Sequence, residues 1–140
     1  KIMVGEIAET PVRIMMDCLN PAGIFDLKKI TRPDKPLWCD KSKAMVPFWE
    51  KWGYTFQSTI YREIVQQVTG DDLPFCLLVV EAEAPHALSG FQLEGDNMPE
   101  VVATIERIKA IKAGAEPRKC GSCAWCKTKT PFKLGDTVYF

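Results

Sequence analysis

The sequence predicts a mixed α/β (α+β) domain in which a central sheet is flanked by helices. Three observations indicate this fold class: short strand-like segments come first, two longer segments carry helical periodicity, and a continuous apolar run lies between those two. The order of three strands, a helix, two strands and a helix is typical of a mixed sheet with helices against it. With 140 residues, 46% of them hydrophobic, the chain can form the core of one domain.

The composition excludes several classes of protein. Formal net charge is zero, so a nucleic-acid partner would need a local basic patch or metal ions. No apolar stretch reaches the roughly 18 residues of a membrane-spanning helix, and no secretory signal is visible. We therefore expect no membrane partner and a reducing cytoplasm, in which the six cysteines form no disulfide framework.

The first part of the chain is predicted to be a three-stranded antiparallel meander. Residues 2–8 and 12–18 have the character of strands and are joined by a short turn. The turn at 19–23 contains Asn-Pro and Gly, and a third strand is predicted at 24–30. Residues 31–46 are polar, contain two prolines and are predicted to form a long loop.

A helix is predicted over residues 47–69. Its apolar residues recur at spacings of three and four, and Gly70 is a natural stop. These apolar residues are Trp49, Trp52, Phe56, Ile60, Ile64 and Val68. Trp49 and Trp52 are interpreted as core and rim residues of the helix rather than as platforms on which bases stack.

The remaining elements are predicted to follow this helix. Residues 73–83 form an apolar run that favours a buried central strand, and residues 87–93 are its predicted hairpin partner. Asn97 is predicted to cap a second helix, with Glu100 completing a capping box and Gly114 ending the helix.

The third predicted strand places two charges on one face. Asp26 and Lys28 alternate with Phe25 and Leu27, so the two pairs point to opposite sides of the sheet. The side with Phe25 and Leu27 suits a core. The other side brings a carboxylate and an ammonium group together at the end of an apolar run.

A second carboxylate, that of Asp17, is predicted to lie close to Asp26. The turn between the two strands makes them neighbours, so the carboxylates can face each other across the hairpin. Two close carboxylates suit Mg²⁺ or Mn²⁺, and Lys28 could orient or deprotonate a water or stabilise charge on a phosphate. The alternative is a surface strand with an ordinary Asp–Lys pair.

Gln57 and Tyr61 lie four residues apart and therefore share one face of the predicted helix. We call them the glutamine–tyrosine pair. An amide and a hydroxyl at the edge of a core can fix a neighbouring strand or contact a phosphate backbone. The alternative is a polar rim to an amphipathic helix.

Taken in order, Asp17, the Asp26-Leu27-Lys28 triplet and the glutamine–tyrosine pair resemble the motifs of the PD-(D/E)xK nuclease superfamily. The segments GIFDLKK, WGYTFQSTIYREIV and KCGSCAWCKTKT are similar to those of RecB/RecE-type, exonuclease VIII-like nucleases of phages and bacteria. The resemblance covers about residues 4–130. It implies a restriction-endonuclease-like core, in which a mixed sheet is flanked by helices.

The resemblance also implies roles for these residues. Asp17 and Asp26 would bind Mg²⁺ or Mn²⁺, with the backbone carbonyl of Leu27 completing the site. Lys28 would be the catalytic lysine, and the glutamine–tyrosine pair would support the site and contact DNA. The implied activity is Mg²⁺-dependent hydrolysis of phosphodiester bonds at DNA ends during recombination or repair.

Partners and domain limits follow from the same resemblance. DNA would be the substrate, a single-strand annealing recombination protein would be a partner, and the chain could form a homo-oligomer in a bacterial or phage-infected cell. Residues 1–114 would form the nuclease core and 115–140 a basic cysteine-containing tail. Because the chain starts in strand-like sequence without an initiator methionine, we expect that an N-terminal part of the core is missing.

Three cysteines of the tail, Cys120, Cys123 and Cys126, have the spacing of a metal site. Thiolates favour Zn²⁺ or an iron–sulfur cluster, such as a 4Fe–4S cluster, and both normally need four ligands. In related iron–sulfur nucleases the fourth cysteine precedes the core; Cys18 and Cys39 are weaker candidates within this chain. The alternative is three reduced cysteines in a solvated tail.

A second function remains open from the sequence. The chain could be a non-catalytic DNA-binding or assembly module that keeps the nuclease fold and carries a cysteine metal or iron–sulfur site. The apparent absence of the front of the core and the basic cysteine tail favour that alternative.

Overall fold

The structure is a computed structural model that describes residues 1–119 and the backbone of two short strands beyond them. The chain forms two compact units, Lys1–Arg107 and Ile108–Phe140. The strands are β1 (Ile2–Ile7), β2 (Thr10–Met15), β3 (Cys18–Asn20), β4 (Gly23–Ile30), β5 (Leu37–Cys39), β6 (Ala44–Val46), β7 (Phe75–Glu81), β8 (Leu88–Leu93), β9 (Phe132–Leu134) and β10 (Thr137–Tyr139). The helices are α1 (Phe48–Lys51), α2 (Tyr54–Thr69) and α3 (Met98–Lys112).

The central sheet has four strands in the order β3-β4-β7-β8. β4 and β7 run parallel, with α1 and α2 in the connection between them, while β3 and β8 pair antiparallel at the two edges. This confirms the mixed α/β fold class predicted from the sequence. It also confirms the buried central strand, since Phe75, Leu77 and Val79 of β7 are at most 1% exposed.

The predicted three-stranded meander is wrong. β1 and β2 form a separate two-stranded hairpin, and the second predicted strand is interrupted at Met16 and Asp17 before β3 begins. At the interruption the Asp17 carboxylate, rather than a backbone carbonyl, accepts the N–H of Leu27. The side chain thus takes the place of a backbone-to-backbone hydrogen bond between strands, at the point where the chain passes from the β1–β2 hairpin to the central sheet.

The predicted helix over 47–69 is divided into two. Trp52 ends α1, and Gly53 adopts the left-handed conformation with φ 72° before α2 begins. α2 ends at Gly70 as predicted, where φ is 82°. Because the break changes the phase of the helix, Trp52 is 58% exposed instead of buried in the stripe.

The buried face of α2 also differs from the predicted stripe. Ser58 and Thr59 are buried together with Ile64 and Val65, whereas Val68 is 51% exposed. The hydroxyl of Thr59 donates to the Thr55 carbonyl and accepts the N–H of Asn97. Two internal hydrogen bonds therefore satisfy this buried hydroxyl.

The start of α3 does not have the predicted capping box. The N–H of Asn97 donates to Thr59, and the Glu100 carboxylate pairs with Lys41. Asp96 Oδ1 accepts the N–H of Met98 in the first turn. Val101, which is buried, anchors the helix in the core.

The segment predicted as a loop at 31–46 contains the β5–β6 hairpin, because its apolar ends pair and Val46 enters the core. Phe48 is fully buried nearby, where its ring meets Trp49, Tyr54 and Phe91 edge to face. Within the described part of the chain, no helix has the length and apolar character needed to cross a membrane.

Candidate active site

The site is built around Asp26, in the middle of β4. Asp26 is 5% exposed, and its Oδ1 accepts a hydrogen bond of 3.1 Å from Nε2 of Gln57 in α2. Oδ2 lies 2.6 Å from the Lys28 ammonium. The charged face of β4 is therefore the face turned toward α2.

This arrangement corrects the prediction that Phe25 and Leu27 form the core side of the strand. Leu27 is 59% exposed and Phe25 is only half-buried. The buried side of β4 begins with Ile24, which is fully buried, and continues with Asp26. A buried carboxylate is costly unless it has partners, and Gln57 and Lys28 supply them.

Asp17 lies beside this strand as predicted for the hairpin. β3 and β4 pair with Cys18 opposite Phe25, and continuing that register by one residue brings Asp17 opposite Asp26. Asp17 is exposed, and its Oδ2 accepts the backbone N–H of Leu27 at 2.9 Å. The bond fixes one carboxylate oxygen beside the strand that carries Asp26.

Lys28 is held by two neighbours. Its Nζ is 2.6 Å from Asp26 Oδ2 and 4.9 Å from the centre of the Tyr54 ring. Burial by itself lowers the pKa of Lys28, but the attraction of Asp26, with smaller contributions from Tyr54 and Asp17, raises the pKa above its usual value. The pair with Asp26 therefore favours the ammonium form of Lys28, which can donate hydrogen bonds.

The glutamine–tyrosine pair connects α2 to two strands. Gln57 binds the Asp26 carboxylate, and Tyr61 Oη donates to the carbonyl of Met15 at 2.9 Å. The Tyr61 ring also packs edge to face against Phe75, with the ring centres 5.7 Å apart. The pair thus fixes the carboxylate and the end of β2 just before Asp17.

The donor set fits a hard divalent cation. Over residues 1–119, no cluster of three or more His, Cys, Asp and Glu side chains is present. Mg²⁺ is often bound by one or two carboxylates, with waters and substrate phosphate completing its coordination. Asp26 Oδ2 is buried, and among the described residues its partner is the Lys28 ammonium, 2.6 Å away.

The predicted cysteine site falls outside the described residues, which do not include Cys120, Cys123 or Cys126. Cys18, Cys39 and Cys76 are free thiols. The assignment of Zn²⁺ or an iron–sulfur cluster to the tail therefore stays a prediction.

Sequence reasoning missed Tyr54. Its ring lies over the Lys28 ammonium and against Phe48. The residues before it, Trp52 and Gly53, carried the only local signal, since a glycine inside a helical pattern can mark a break. The contact with Lys28 joins residues 26 positions apart and depends on how α2 packs on β4.

The comparisons with known proteins agree with this geometry. Residues 1–129 match the model of a family described as "PDDEXK-like domain of unknown function (DUF3799)". A crystal structure of a "putative exonuclease" from Eubacterium rectale is similar, with 27% sequence identity and a TM-score of 0.81 over 98% of this chain. The match covers 53% of that protein, so the chain spans about half of its length. A comparison with curated proteins finds no match.

Proposed function

The chain belongs to the PDDEXK-like domain family, within the PD-(D/E)xK nuclease superfamily, and from this premise we propose that it is a Mg²⁺- or Mn²⁺-dependent deoxyribonuclease. The observation that carries the proposal is the buried carboxylate of Asp26, which is positioned by Gln57 and paired with Lys28. A carboxylate held in this way, with a second one at Asp17 beside its strand, is arranged to bind a metal at a phosphodiester.

Asp17, Asp26 and the backbone carbonyl of Leu27 would hold the metal. When bound, the metal supplies a water of lowered pKa and polarises the phosphate. Gln57 keeps the Asp26 carboxylate in one orientation through its amide. Lys28, which is paired with Asp26 in the structure, would donate hydrogen bonds to phosphate oxygens and stabilise the negative charge that develops there.

The preference for DNA ends belongs to the same proposal. It is supported by the similar protein from Eubacterium rectale, which is described as a "putative exonuclease". Residues 1–114 would form the nuclease core, and the partners are DNA and a recombination protein that anneals single strands.

Hydrolysis of end-labelled linear duplex DNA in Mg²⁺ tests the activity, with closed circular DNA as the comparison for end dependence. We expect Asp26→Asn and Lys28→Met to lower the rate about a hundredfold or more. Asp71→Asn, at an exposed position after α2 and away from the site, is the matched control and should retain the wild-type rate. Mn²⁺ binding, followed by electron paramagnetic resonance, should be weakened in Asp26→Asn.

Two results would contradict the proposal. If Asp26→Asn hydrolysed DNA at the wild-type rate, the active site could not be the one on β4. Tight DNA binding without hydrolysis in any divalent metal would favour the second function considered from the sequence, a non-catalytic binding or assembly module.

A further inference from the structure

A groove of ≈ 590 Å³ lies next to the candidate active site on the Lys1–Arg107 unit. It runs from the end of β4, past the turn that follows, to the junction between α1 and α2. Tyr54 belongs to both places, since it lines the groove and its ring lies 4.9 Å from Lys28 Nζ. A ligand in the groove would therefore contact the ring that lies over Lys28.

The groove is basic although the chain as a whole is neutral. It is lined by Lys29, Arg32 and Lys35, and no acidic residue is among the described residues that line it. Among the described residues, the Arg32 side chain makes one long ion pair, of 3.8 Å with Glu83, and both side chains are more than half exposed. An exposed pair of this kind contributes little and is easily exchanged for a phosphate contact.

The groove also offers an aromatic surface. Trp52 lines it and is 58% exposed, because the break at Gly53 takes this side chain out of the buried stripe predicted for a continuous helix. An exposed indole beside cations can stack with an unpaired base. Bases inside a duplex present no free face, so a stacking site selects a single strand.

A second and larger cavity, of ≈ 790 Å³, is also lined by Trp52. Its lining includes Glu50, Glu94 and Glu100, and its lysine, Lys41, is already paired with Glu100. This acidic surface repels phosphate. The two surfaces around Trp52 thus differ in sign, and only the basic one suits a nucleic-acid backbone.

We propose that the groove holds a single-stranded stretch of the DNA substrate next to the scissile phosphate, with its phosphates on Lys29, Arg32 and Lys35 and one base stacked on Trp52. The proposal deepens the proposed function and rests on it for the identity of the ligand. It adds that the DNA bound here is single-stranded, and it names the residues that bind it.

Fluorescence anisotropy of the full chain with a labelled oligodeoxythymidylate tests the proposal, in EDTA so that binding is separated from hydrolysis. We expect Trp52→Ala to weaken binding about tenfold without changing the salt dependence, and Trp52→Phe to restore most of the affinity. We expect the double variant Arg32→Gln/Lys35→Gln to reduce the slope of log K against log salt by about 1.4.

Matched controls lie outside the groove. Trp38→Ala removes another exposed tryptophan, 51% exposed, whose indole N–H binds Asp40. Arg13→Gln/Lys43→Gln removes the same charge as the groove double variant from two exposed positions. Both controls should bind like the wild type, and circular dichroism of every variant checks that it is folded.

Wild-type affinity in folded Trp52→Ala, or equal losses in the controls, would overturn the proposal. It would also be overturned if blunt duplex DNA bound as tightly as the single strand and lost as much affinity in Trp52→Ala. Failure here is distinguishable from failure of the proposed function. If the wild type cleaves DNA but the variants bind like the wild type, only the proposal about the groove is contradicted. If binding depends on the groove but no DNA is cleaved in Mg²⁺, only the proposed nuclease activity is contradicted.

Discussion

Asp26 in β4 and Gln57 in α2 are joined by a hydrogen bond of 3.1 Å between a buried carboxylate and an amide 31 residues later in the chain. The bond connects the sheet to the helix at the point where the candidate metal ligand lies. It gives the carboxylate a fixed orientation, while Lys28 compensates the charge of the other oxygen.

Removing the amide should weaken metal binding without unfolding the protein. We expect Gln57→Ala to lower Mn²⁺ affinity and Mg²⁺-dependent hydrolysis about 10- to 100-fold, because residues that orient a metal ligand have effects of this size. Gln66→Ala, at an exposed position of the same helix, is the control. Equal metal affinity in wild type and Gln57→Ala would show that the hydrogen bond does not position Asp26.

The Asp26–Lys28 ion pair should make stability depend on pH in the alkaline range when metal is absent. The pKa of Lys28 is raised in the folded protein above the 10.5 of a free lysine. The stability that the pair contributes is therefore fully present below pH 10.5, and it is lost as the pH rises through the higher pKa of Lys28 in the folded protein. We expect the stability difference between wild type and Lys28→Met, from urea unfolding in EDTA, to shrink across that range. A difference that grew with pH would contradict the raised pKa.

The Tyr61 hydroxyl should contribute to stability rather than to the chemistry. We expect Tyr61→Phe to lower the free energy of unfolding by about 1 kcal/mol, because the Met15 carbonyl loses its donor while the ring contact with Phe75 is retained. Chemical denaturation measures this loss. A large fall in kcat with unchanged stability would instead place the hydroxyl at the reacting phosphate.

The break between α1 and α2 should depend on the backbone of Gly53. A Cβ at this position meets no atom within 4 Å, so the cost of Gly53→Ala is purely conformational. With φ at 72°, we expect the substitution to destabilise the protein by about 1–2 kcal/mol. Gly90→Ala, where there is equal space and no positive φ, should cost less. Equal thermal unfolding temperatures for the two variants would mean that the left-handed turn is not required.

Much of the site could be predicted because its parts are close in sequence or regularly spaced. Asp17 and Asp26 are separated by one hairpin, and Asp26 and Lys28 share a face by the alternation of a strand. The glutamine–tyrosine pair shares a helix face by its spacing of four residues. Local geometry determines each of these relationships, so no knowledge of the packing was needed.

The elements that were predicted correctly also have strong local signals. The apolar run of β7 and its hairpin partner β8 lie where the sequence indicated, and Gly70 ends α2 in a left-handed conformation. In contrast, the meander and the continuous helix over 47–69 were wrong. The meander is interrupted at Asp17, whose effect on the backbone depends on its partner Leu27 in another strand. The helix is interrupted at Gly53, which adopts a left-handed conformation that glycine permits but does not require.

The sequence by itself determined the fold class, the order of the main elements and the residue types that meet at the candidate site. Only the tertiary structure decided which face of β4 is buried, that Gln57 binds Asp26 while Tyr61 binds Met15, and that Tyr54 and Trp52 connect the site to a basic groove. The reason is physical: periodicity fixes which residues share a face, whereas the partner of that face depends on long-range packing of α2 on the sheet.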